Sequence, residues 1–485
     1  MSNQTRCHPG TSRRDDAWLL HSDLASAIFE AIADLPVRDY HCHLDPVRLA
    51  SDRPFTSLDE LWIAGDPYKH RTMRMLGIDE ALISGEAEPR DRLRAWLACL
   101  PGLLGSPLHD WGRLEFQRTF GIDTDLNPAD ADRLADQVAE RLADDAYRPM
   151  ALLHAAGVES LCTSDAWLDD LSPHEQRTRR NDLAVLPSLR ADAALTVGTE
   201  AGREFVAALA NATDRDIHEF GDFVAALGDR LDRFEALGTC VVDHGLDTVP
   251  PRTAHAPCAA EPLFDRWWAG GLLTDVEHQA ITIELLAWLA EQYRRREWTL
   301  LLHLGAQRET SSRLRRLAGP SGGYAAMRRP IDLDALTALL DRFERQDALP
   351  RTVLFNLNPA DNAALATLCG SYTADGEAGY VSFGPAWWYN DHRRGIEAHL
   401  EATADYALLA NFPGMASDSR SFLSMHRHEY FRRVLCRWLA VQAEQARLPD
   451  DAETLGQFAK RLAHDNPMRL MPNRPTAAIQ NKEHA

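Results

Sequence analysis

The chain has 485 residues, of which 45% are hydrophobic and 26% are charged. These proportions exclude a fibrous, disordered or disulfide-stapled protein, and the length allows roughly three domains of about 150 residues or one large barrel with insertions. The formal net charge of −20 argues against nucleic acid or an anionic membrane as a partner.

The N-terminal residues and the thiols indicate the cellular compartment. Residues 1–17 are polar and lack the apolar core of a signal peptide, and no stretch approaches the roughly 18 consecutive apolar residues of a spanning helix. The cysteines form no C-x-x-C pair and stand at positions 7, 42, 99, 162, 240, 258, 369 and 436. We therefore expect reduced thiols in a cytoplasmic protein without a membrane partner.

Short apolar or β-branched runs recur along the chain, and most of them are followed by a helical pattern. In chain order, the predicted strands are 37–41, 159–163, 184–189, 239–242, 298–303, 352–357, 380–383 and 410–415. One of the helices between them starts at Thr274, which forms a capping-box pattern with Glu277. Strands that alternate with helices in this number predict an α/β fold, a (β/α)8 barrel of the TIM type.

The spacing of the predicted strands also divides the chain. A long gap between the first two strands contains helical apolar patterns rather than low-complexity sequence, so it needs structure of its own. We expect residues 1–49 to form an N-terminal helix and strand 1, residues 50–155 a helical insertion, residues 156–472 the rest of the barrel, and residues 473–485 a polar tail.

Polar side chains follow the first and last predicted strands. His41 and His43 alternate to the same side of the first strand, and Asp418 follows the eighth, which closes next to the first in a barrel. Two imidazoles and a carboxylate make an N,N,O ligand set for a divalent cation. The sequence therefore predicts a metal site, with zinc as the expected ion.

Other strand ends carry residues with more than one possible role. His244 and His303 could each complete the metal sphere, act as a general acid or base, or be hydrogen-bonded structural histidines. Asp243 could be a partner of His244 or a helix cap. One ring of the pair Trp387 and Trp388 could form a pocket wall while the other packs in the core.

Arg190, Arg308 and Arg420 follow three different predicted strands. A guanidinium there pairs either with a structural carboxylate or with an anionic substrate, and three of them around one mouth favour an acidic ligand. The net negative charge then excludes polyanions as partners but not a small carboxylate, because the site itself would be cationic.

Motifs in chain order carry a resemblance to a known family. They are Asp39–Leu44, Leu186–Arg190, Leu302–Arg308, Asn356–Pro359, Trp387–Asp391 and the long run from Asp418 to Phe431. In these residues the chain resembles the uronate isomerases (glucuronate isomerases), a branch of the metal-dependent amidohydrolase superfamily. The resemblance implies a barrel of the metal-dependent hydrolase kind.

The resemblance also implies a reaction, the conversion of D-glucuronate to D-fructuronate or of D-galacturonate to D-tagaturonate in hexuronate catabolism. A proton would move between C2 and C1 through an enediol. The metal on His41, His43 and Asp418 would polarise or orient oxygens, and Asp418, His244 or His303 would carry the proton. The substrate-binding residues would be Arg190, Arg308, Arg420, Trp387 and Trp388.

The predicted insertion departs from the family pattern at one motif. The family usually reads Asp-His-Tyr-Lys-Trp-Arg where this chain has Asp66–Arg71, so Pro67 replaces a histidine and His70 replaces a tryptophan. Tyr68 is kept, and the resemblance implies that it acts at the substrate. Proline cannot transfer a proton, so any role of the family histidine is lost unless His70 takes it over.

Two alternatives remain from the sequence. The same metal barrel could hydrolyse an amide or ester with a metal-activated water. Pro67 also allows a paralogue that binds sugar acids without turning them over. The expected partner is a small-molecule hexuronate substrate, and a homo-oligomer is possible.

Overall fold

The computed structural model describes residues 17–122, 127–178, 183–255 and 259–472. Cys7, Cys258 and the predicted tail 473–485 lie outside these residues. The strands are β1 (Val37–Asp39), β2 (Val158–Cys162), β3 (Asp165–Ala166), β4 (Ala184–Leu186), β5 (Leu189–Arg190), β6 (Val241–Leu246), β7 (Thr299–Leu304), β8 (Ala306–Gln307), β9 (Ala326–Met327), β10 (Thr352–Asn356) and β11 (Val381–Phe383).

The helices occupy most of the chain between the strands. Helix α1 (Asp23–Ile32) precedes β1, and between β1 and β2 lie α2 (Pro46–Ser51), α3 (Leu58–Trp62), α4 (Pro67–Met75), α5 (Pro89–Cys99), α6 (Pro107–Phe120), α7 (Ala131–Leu142) and α8 (Pro149–Ala155). The later helices are α9 (Ser172–Thr178), α10 (Glu200–Thr213), α11 (Phe220–Ala236), α12 (Ala260–Trp268), α13 (Asp275–Arg295), α14 (Ser312–Ala318), α15 (Leu333–Arg345), α16 (Asn362–Cys369), α17 (Arg393–Tyr406), α18 (Arg427–Glu444), α19 (Ala452–Lys460) and α20 (Asn466–Leu470). No helix within the described ranges is long and apolar enough to cross a bilayer.

Helix starts follow the local sequence closely. The helices α2, α4, α5, α6 and α8 each have proline within their first turn, where its fixed φ suits the helix and its missing N–H costs nothing. The capping box predicted at Thr274 and Glu277 is confirmed at the start of α13. The chain between β1 and β2 is therefore helical in its described residues.

The strands form two parallel sheets. Two strands are interrupted, so that one part of each belongs to the first sheet and the next part to the second. One sheet has the order β1-β2-β4 and the other the order β11-β10-β7-β6-β5-β3, with β8 and β9 as a separate antiparallel pair. After short breaks, β3 continues β2 and β5 continues β4, and the second break contains Pro187, which has no N–H for a ladder. The carboxyl ends of these parallel strands consequently meet at one edge.

An apolar cluster lies among the strands. It includes Tyr40 after β1, Cys162 on β2, Val241 on β6, Leu301 on β7 and Phe355 on β10. These side chains are buried, so the polar residues that follow the strands lie next to closely packed apolar side chains.

The prediction of a strand over 410–415 is wrong. The chain there forms a 3₁₀ turn, Leu409–Asn411, followed by irregular backbone. The amide of Asn466 donates to the carbonyls of Ala410 and Phe412 at 3.0 and 2.7 Å, and Pro413 has no N–H to give. A side chain therefore occupies the carbonyls that a strand ladder would use. A little further on, Asp418 N donates to the carbonyl of His41 at 3.0 Å, which brings the segment beside the end of β1.

Candidate active site

One cavity at the carboxyl edge of the strands collects most of the predicted site residues. Its empty volume is about 840 Å³, including space continuous with solvent. The predicted residues that line it are His41, His43, Tyr68, Arg190, His303, Arg308, Trp387, Trp388, Asp418 and Arg420. Residues that precede β2 and residues that follow β7 are thus brought to a single site, whereas His244 is not among those that line it.

The metal ligands predicted from the sequence lie together. Nε2 of His43 is 2.9 Å from Oδ1 of Asp418, and Nε2 of His41 is 3.5 Å from the same oxygen. The three donor atoms lie within 4.8 Å of one another. Two imidazole nitrogens and a carboxylate oxygen at this spacing fit a borderline divalent ion such as zinc. The residues could therefore hold a metal.

The turn that carries Asp418 is held from several sides. Asp418 has a φ of +49°, a left-handed conformation that costs free energy in a residue with a side chain. Buried Asp39 accepts from the backbone N–H of Ser417 at 2.9 Å and also from its hydroxyl. The guanidinium of Arg427 donates to the carbonyl of Ser417 and to Asp391, the latter at 2.6 Å. Buried hydrogen bonds thus maintain the strained position of the carboxylate.

The ionisable groups of the cavity have strongly shifted pKa values. Burial alone would raise the pKa of Asp418, but hydrogen bonds from His41 and His43 hold it well below its usual value. Burial and the charge of Arg420 lower the pKa of His43 to about 4. Burial, with His41 nearby, lowers the pKa of His303 well below its usual value. Asp418 is therefore a carboxylate at neutral pH, while His43 and His303 are neutral imidazoles.

The two tryptophans both line the cavity but differ in burial and partners. Trp387 is buried, belongs to the apolar cluster among the strands, and donates from Nε1 to Oδ2 of Asp418 at 3.2 Å. Trp388 is half-buried at the cavity and stacks on Tyr389 with ring centroids 5.3 Å apart. Trp387 therefore orients the carboxylate, and Trp388 offers an aromatic wall.

The three predicted arginines differ in their partners. Nε of Arg190 lies 3.2 Å from Oδ2 of Asp192, and its Nη1 lies 3.6 Å from Oδ2 of Asp243. Arg308 pairs with Asp247. Arg420 is exposed and has no hydrogen bond or ion pair with any residue that the structure describes. It is therefore the predicted guanidinium with the most capacity left for an anionic ligand.

His244 lies away from the cavity because side chains alternate along β6. Its Nε2 is 2.9 Å from the hydroxyl of Tyr293 on α13, and burial lowers its pKa to about 4. The neighbouring Asp243 points the other way and, with His41 and His303, forms a second group of potential metal donors within 4.8 Å. The sequence named Asp243 only as a partner of His244 or a cap, and the alternation along the strand was the signal that could have separated the two.

Tyr68 reaches the cavity from the helical segment. Asp66 caps α4 by accepting from the N–H groups of Tyr68 and Lys69, and Pro67 occupies the first turn. The hydroxyl of Tyr68 is buried and has no hydrogen-bond partner among the described residues. Burial and the charge of Asp418 raise the pKa of this phenol well above its usual value. Tyr68 is thus a neutral hydroxyl available to a ligand.

A segment that the sequence did not assign to the site lines one side of the cavity. Residues 320–325 line the cavity beside Pro67, and Arg71 of α4 donates to the carbonyl of Ala325 at 2.8 Å. The hydroxyl of Tyr389 donates to the same carbonyl at 2.6 Å. Gly323 has a φ of +82° and lies so close to the Pro67 carbonyl that a Cβ would not fit. In the sequence, residues 319–324 stand out only as a looser match to the family pattern than the other motifs.

The comparison with protein families decides the assignment. A family model described as glucuronate isomerase matches residues 12–471. The chain belongs to this family. It is 35% identical over 458 residues to a curated uronate isomerase of Oceanobacillus iheyensis. The matched region covers 94% of this chain and 97% of the relative. It is 38% identical over 456 residues to the uronate isomerase of Salmonella arizonae, covering 93% and 97%.

Solved structures of glucuronate isomerase family proteins agree with the fold. The uronate isomerase of Thermotoga maritima matches with a TM-score of 0.87 and 26% identity, covering 96% of this chain and all of that one. The glucuronate isomerase of Caulobacter crescentus matches with a TM-score of 0.85 and 24% identity, covering 98% of each chain, and at that identity it supports the fold alone. The mixed α/β fold with parallel sheets is therefore that of the family.

Proposed function

We propose that the protein isomerises hexuronates, converting D-glucuronate to D-fructuronate, D-galacturonate to D-tagaturonate, or both. One observation carries the proposal: the guanidinium of Arg420, which has no partner among the described residues, lines the same cavity as Asp418 and its two imidazoles. A hexuronate needs a cation for its carboxylate and, at the other end, a group that moves a proton. Family membership favours this reaction over amide or ester hydrolysis and over a sugar-acid-binding role without turnover.

His41, His43 and Asp418 would hold the metal, and zinc suits this donor set. When bound, the ion supplies a Lewis acid that polarises or orients substrate oxygens. Arg420, Arg190 and Arg308 bind the substrate carboxylate and hydroxyls, and Trp388 packs on the sugar.

The proton has two candidate carriers that line the cavity. Asp418 is ionised, is oriented by Trp387, and can accept a proton from C2 and return it at C1. Neutral His303 has a buried Nε2 without a partner among the described residues and could do the same. The hydroxyl of Tyr68 can donate to the oxygen on which negative charge develops. The protein thus supplies a base and a donor to opposite parts of an enediol.

We also infer that the parallel strands belong to a closed barrel of the (β/α)8 type with a helical insertion at 50–155, in which the irregular segment that ends at Ser419 takes the place of the eighth strand. The strand order follows the chain from β1 to β11, and the segment at Ser419 accepts from the N–H of His43 at 2.7 Å next to β1. The division at residues 49, 155 and 472, the cytoplasmic location and a homo-oligomer stay predictions.

Proton NMR in D₂O tests the function. The purified protein, loaded with Zn²⁺, is incubated separately with D-glucuronate and D-galacturonate, and the ketose and solvent deuterium in the products are followed. We expect the wild type to form ketose. His41→Ala and Asp418→Asn should abolish ketose formation while the protein stays folded, and His41→Ala should also lower the amount of zinc bound per chain. His303→Gln lowers turnover more than the matched His244→Gln, which changes an imidazole outside the cavity. The absence of both ketose and exchange with every hexuronate tested would contradict the proposal.

A further inference from the structure

Two arginines that line the cavity have one carboxylate between them. Asp192 accepts from Nε of Arg190 at 3.2 Å through Oδ2, and its Oδ1 accepts from the backbone N–H of Gly245 at 2.8 Å. Asp192 is therefore fixed on one side to β6 and on the other to the guanidinium of Arg190.

Gly245 brings Arg308 to the same place. A Cβ at Gly245 would lie 2.6 Å from Nη2 of Arg308 and 3.0 Å from Oδ2 of Asp192. The guanidinium of Arg308 and the carboxylate of Asp192 thus pack side by side on backbone that carries no side chain. A side chain at this position would displace the end of the Arg308 side chain from its place beside Asp192.

Each arginine also has a carboxylate of its own. Arg190 lies near Asp243, with Nη1 to Oδ2 at 3.6 Å, and Arg308 pairs with Asp247. Asp192 accepts from Arg190 and lies beside Arg308 at Gly245 without an ion pair to it, and its charge, like that of Asp243, acts on both guanidinium groups. Burial and the nearby Arg190 lower the pKa of Arg308, whereas the charge of Asp192 acts in the opposite direction. A shared negative charge offsets the repulsion between two cations in a partly buried site.

We propose that Asp192 is a positioning residue that holds Arg190 and Arg308 at the spacing required to bind the carboxylate and hydroxyls of a hexuronate. Asp192 does not line the cavity that holds Asp418 but a neighbouring one, together with Gly245 and Asp247. It acts through the arginines and does not touch the substrate. The inference rests on the proposed function in one respect only, the identity of the ligand as a hexuronate.

The variant Asp192→Asn tests the effect of the negative charge without removing the hydrogen bond that holds the side chain. Asparagine keeps an oxygen that can accept from the N–H of Gly245 but loses the negative charge that the two guanidinium groups share. We expect KM for D-glucuronate to rise about tenfold, with kcat changed by less than about threefold, because binding of the substrate is weakened uniformly. Asp192→Glu restores the charge and should recover part of the KM.

Binding is measured on the same proteins by calorimetry with D-glucuronate, so that affinity is known independently of turnover. Asp229→Asn is the matched control, since Asp229 pairs with Arg215 in an exposed ion pair outside the cavity. The control should leave Kd, KM and kcat unchanged, and circular dichroism melting shows whether each variant is folded.

The outcomes separate the two proposals. If the wild type binds and isomerises D-glucuronate and Asp192→Asn binds it equally well, the role of Asp192 is wrong and the function stands. If the wild type binds without isomerising and the variant binds about tenfold more weakly, the role of Asp192 stands and the function is wrong. If kcat falls in Asp192→Asn and KM does not change, the positioning role is wrong, and if the wild type does not bind D-glucuronate, both proposals are overturned.

Discussion

The indole nitrogen of Trp387 lies 3.2 Å from Oδ2 of Asp418, while Oδ1 of that carboxylate lies 2.9 Å from Nε2 of His43. The two oxygens therefore have different neighbours, a neutral donor on one side and the imidazoles on the other. This arrangement fixes the rotation of a carboxylate that stands on strained backbone.

Trp387→Phe should lower kcat about tenfold and leave KM within about threefold, because a hydrogen bond to a charged group contributes about 1.5–3 kcal/mol and the ring itself is kept. Steady-state kinetics with D-glucuronate measure both constants. Trp268→Phe removes an indole hydrogen bond to the carbonyl of Ile217 elsewhere in the chain and should leave both unchanged. Full kcat in Trp387→Phe would show that this hydrogen bond does not orient the carboxylate.

Tyr68→Phe should reduce kcat by about 10²-fold, which is the size of effect expected when a donor to developing charge is removed. The variant should be at least as stable as the wild type, because the hydroxyl is buried without a partner among the described residues. Thermal melting and kinetics together test this combination. A loss of stability with unchanged kcat would mean that the hydroxyl of Tyr68 has a structural role. The control is Tyr293→Phe, which removes the hydroxyl that contacts His244 outside the cavity.

Pro67→His restores the residue that the family pattern has, and we expect activity to rise severalfold, since Pro67 lines the cavity. The melting temperature should fall slightly, because proline suits the first turn of α4 and its replacement gives the unfolded chain more freedom. Pro67→Ala is the control, which should show the loss of stability without the gain in activity. Equal activities in both variants would exclude a role for an imidazole at this position.

Stability should fall in acid because of buried histidines. Burial lowers the pKa of His399 to about 4 from its ordinary value of 6.5. The contribution of a group with a depressed pKa is fully present above pH 6.5, and it is lost as the pH falls from 6.5 towards 4, by at most about 1.4 kcal/mol per pH unit. Urea unfolding across this range should therefore give a smaller pH slope for His399→Gln than for the wild type. Changing exposed His218 to Gln should leave the slope as it is, and an equal slope in all three proteins would contradict the prediction.

The proximity of the two candidate histidine ligands could be predicted because the information is local. His41 and His43 follow an apolar run at the spacing that places both side chains on one face, and β1 confirms the run. Asp418 reached its predicted place by a different route, since residues 410–415 are not a strand and hydrogen bonds to the end of β1 bring the turn there. The predicted position of Asp418 beside His41 and His43 was right, although the predicted strand before it was wrong.

Relations between distant segments could not be predicted. The pairing of Arg308 with Asp247 and its contact with Gly245 depend on how β6 and β7 lie side by side, and that register is set by packing of the whole sheet. The exchange of roles between Asp243 and His244 has the same origin. A run of apolar residues indicates a strand but does not say which face of it meets the cavity.

Asp39 and Ser417 are joined by a hydrogen bond although they are 378 positions apart in the chain. During synthesis, His41 and His43 leave the ribosome long before Asp418, whose carboxylate would complete the proposed ligand set. A nascent chain therefore carries two imidazoles that cannot yet form the proposed metal site. The proposed cation site can therefore be completed only after Asp418 has been synthesised, and a chain truncated before Asp418 should bind less zinc than the full chain.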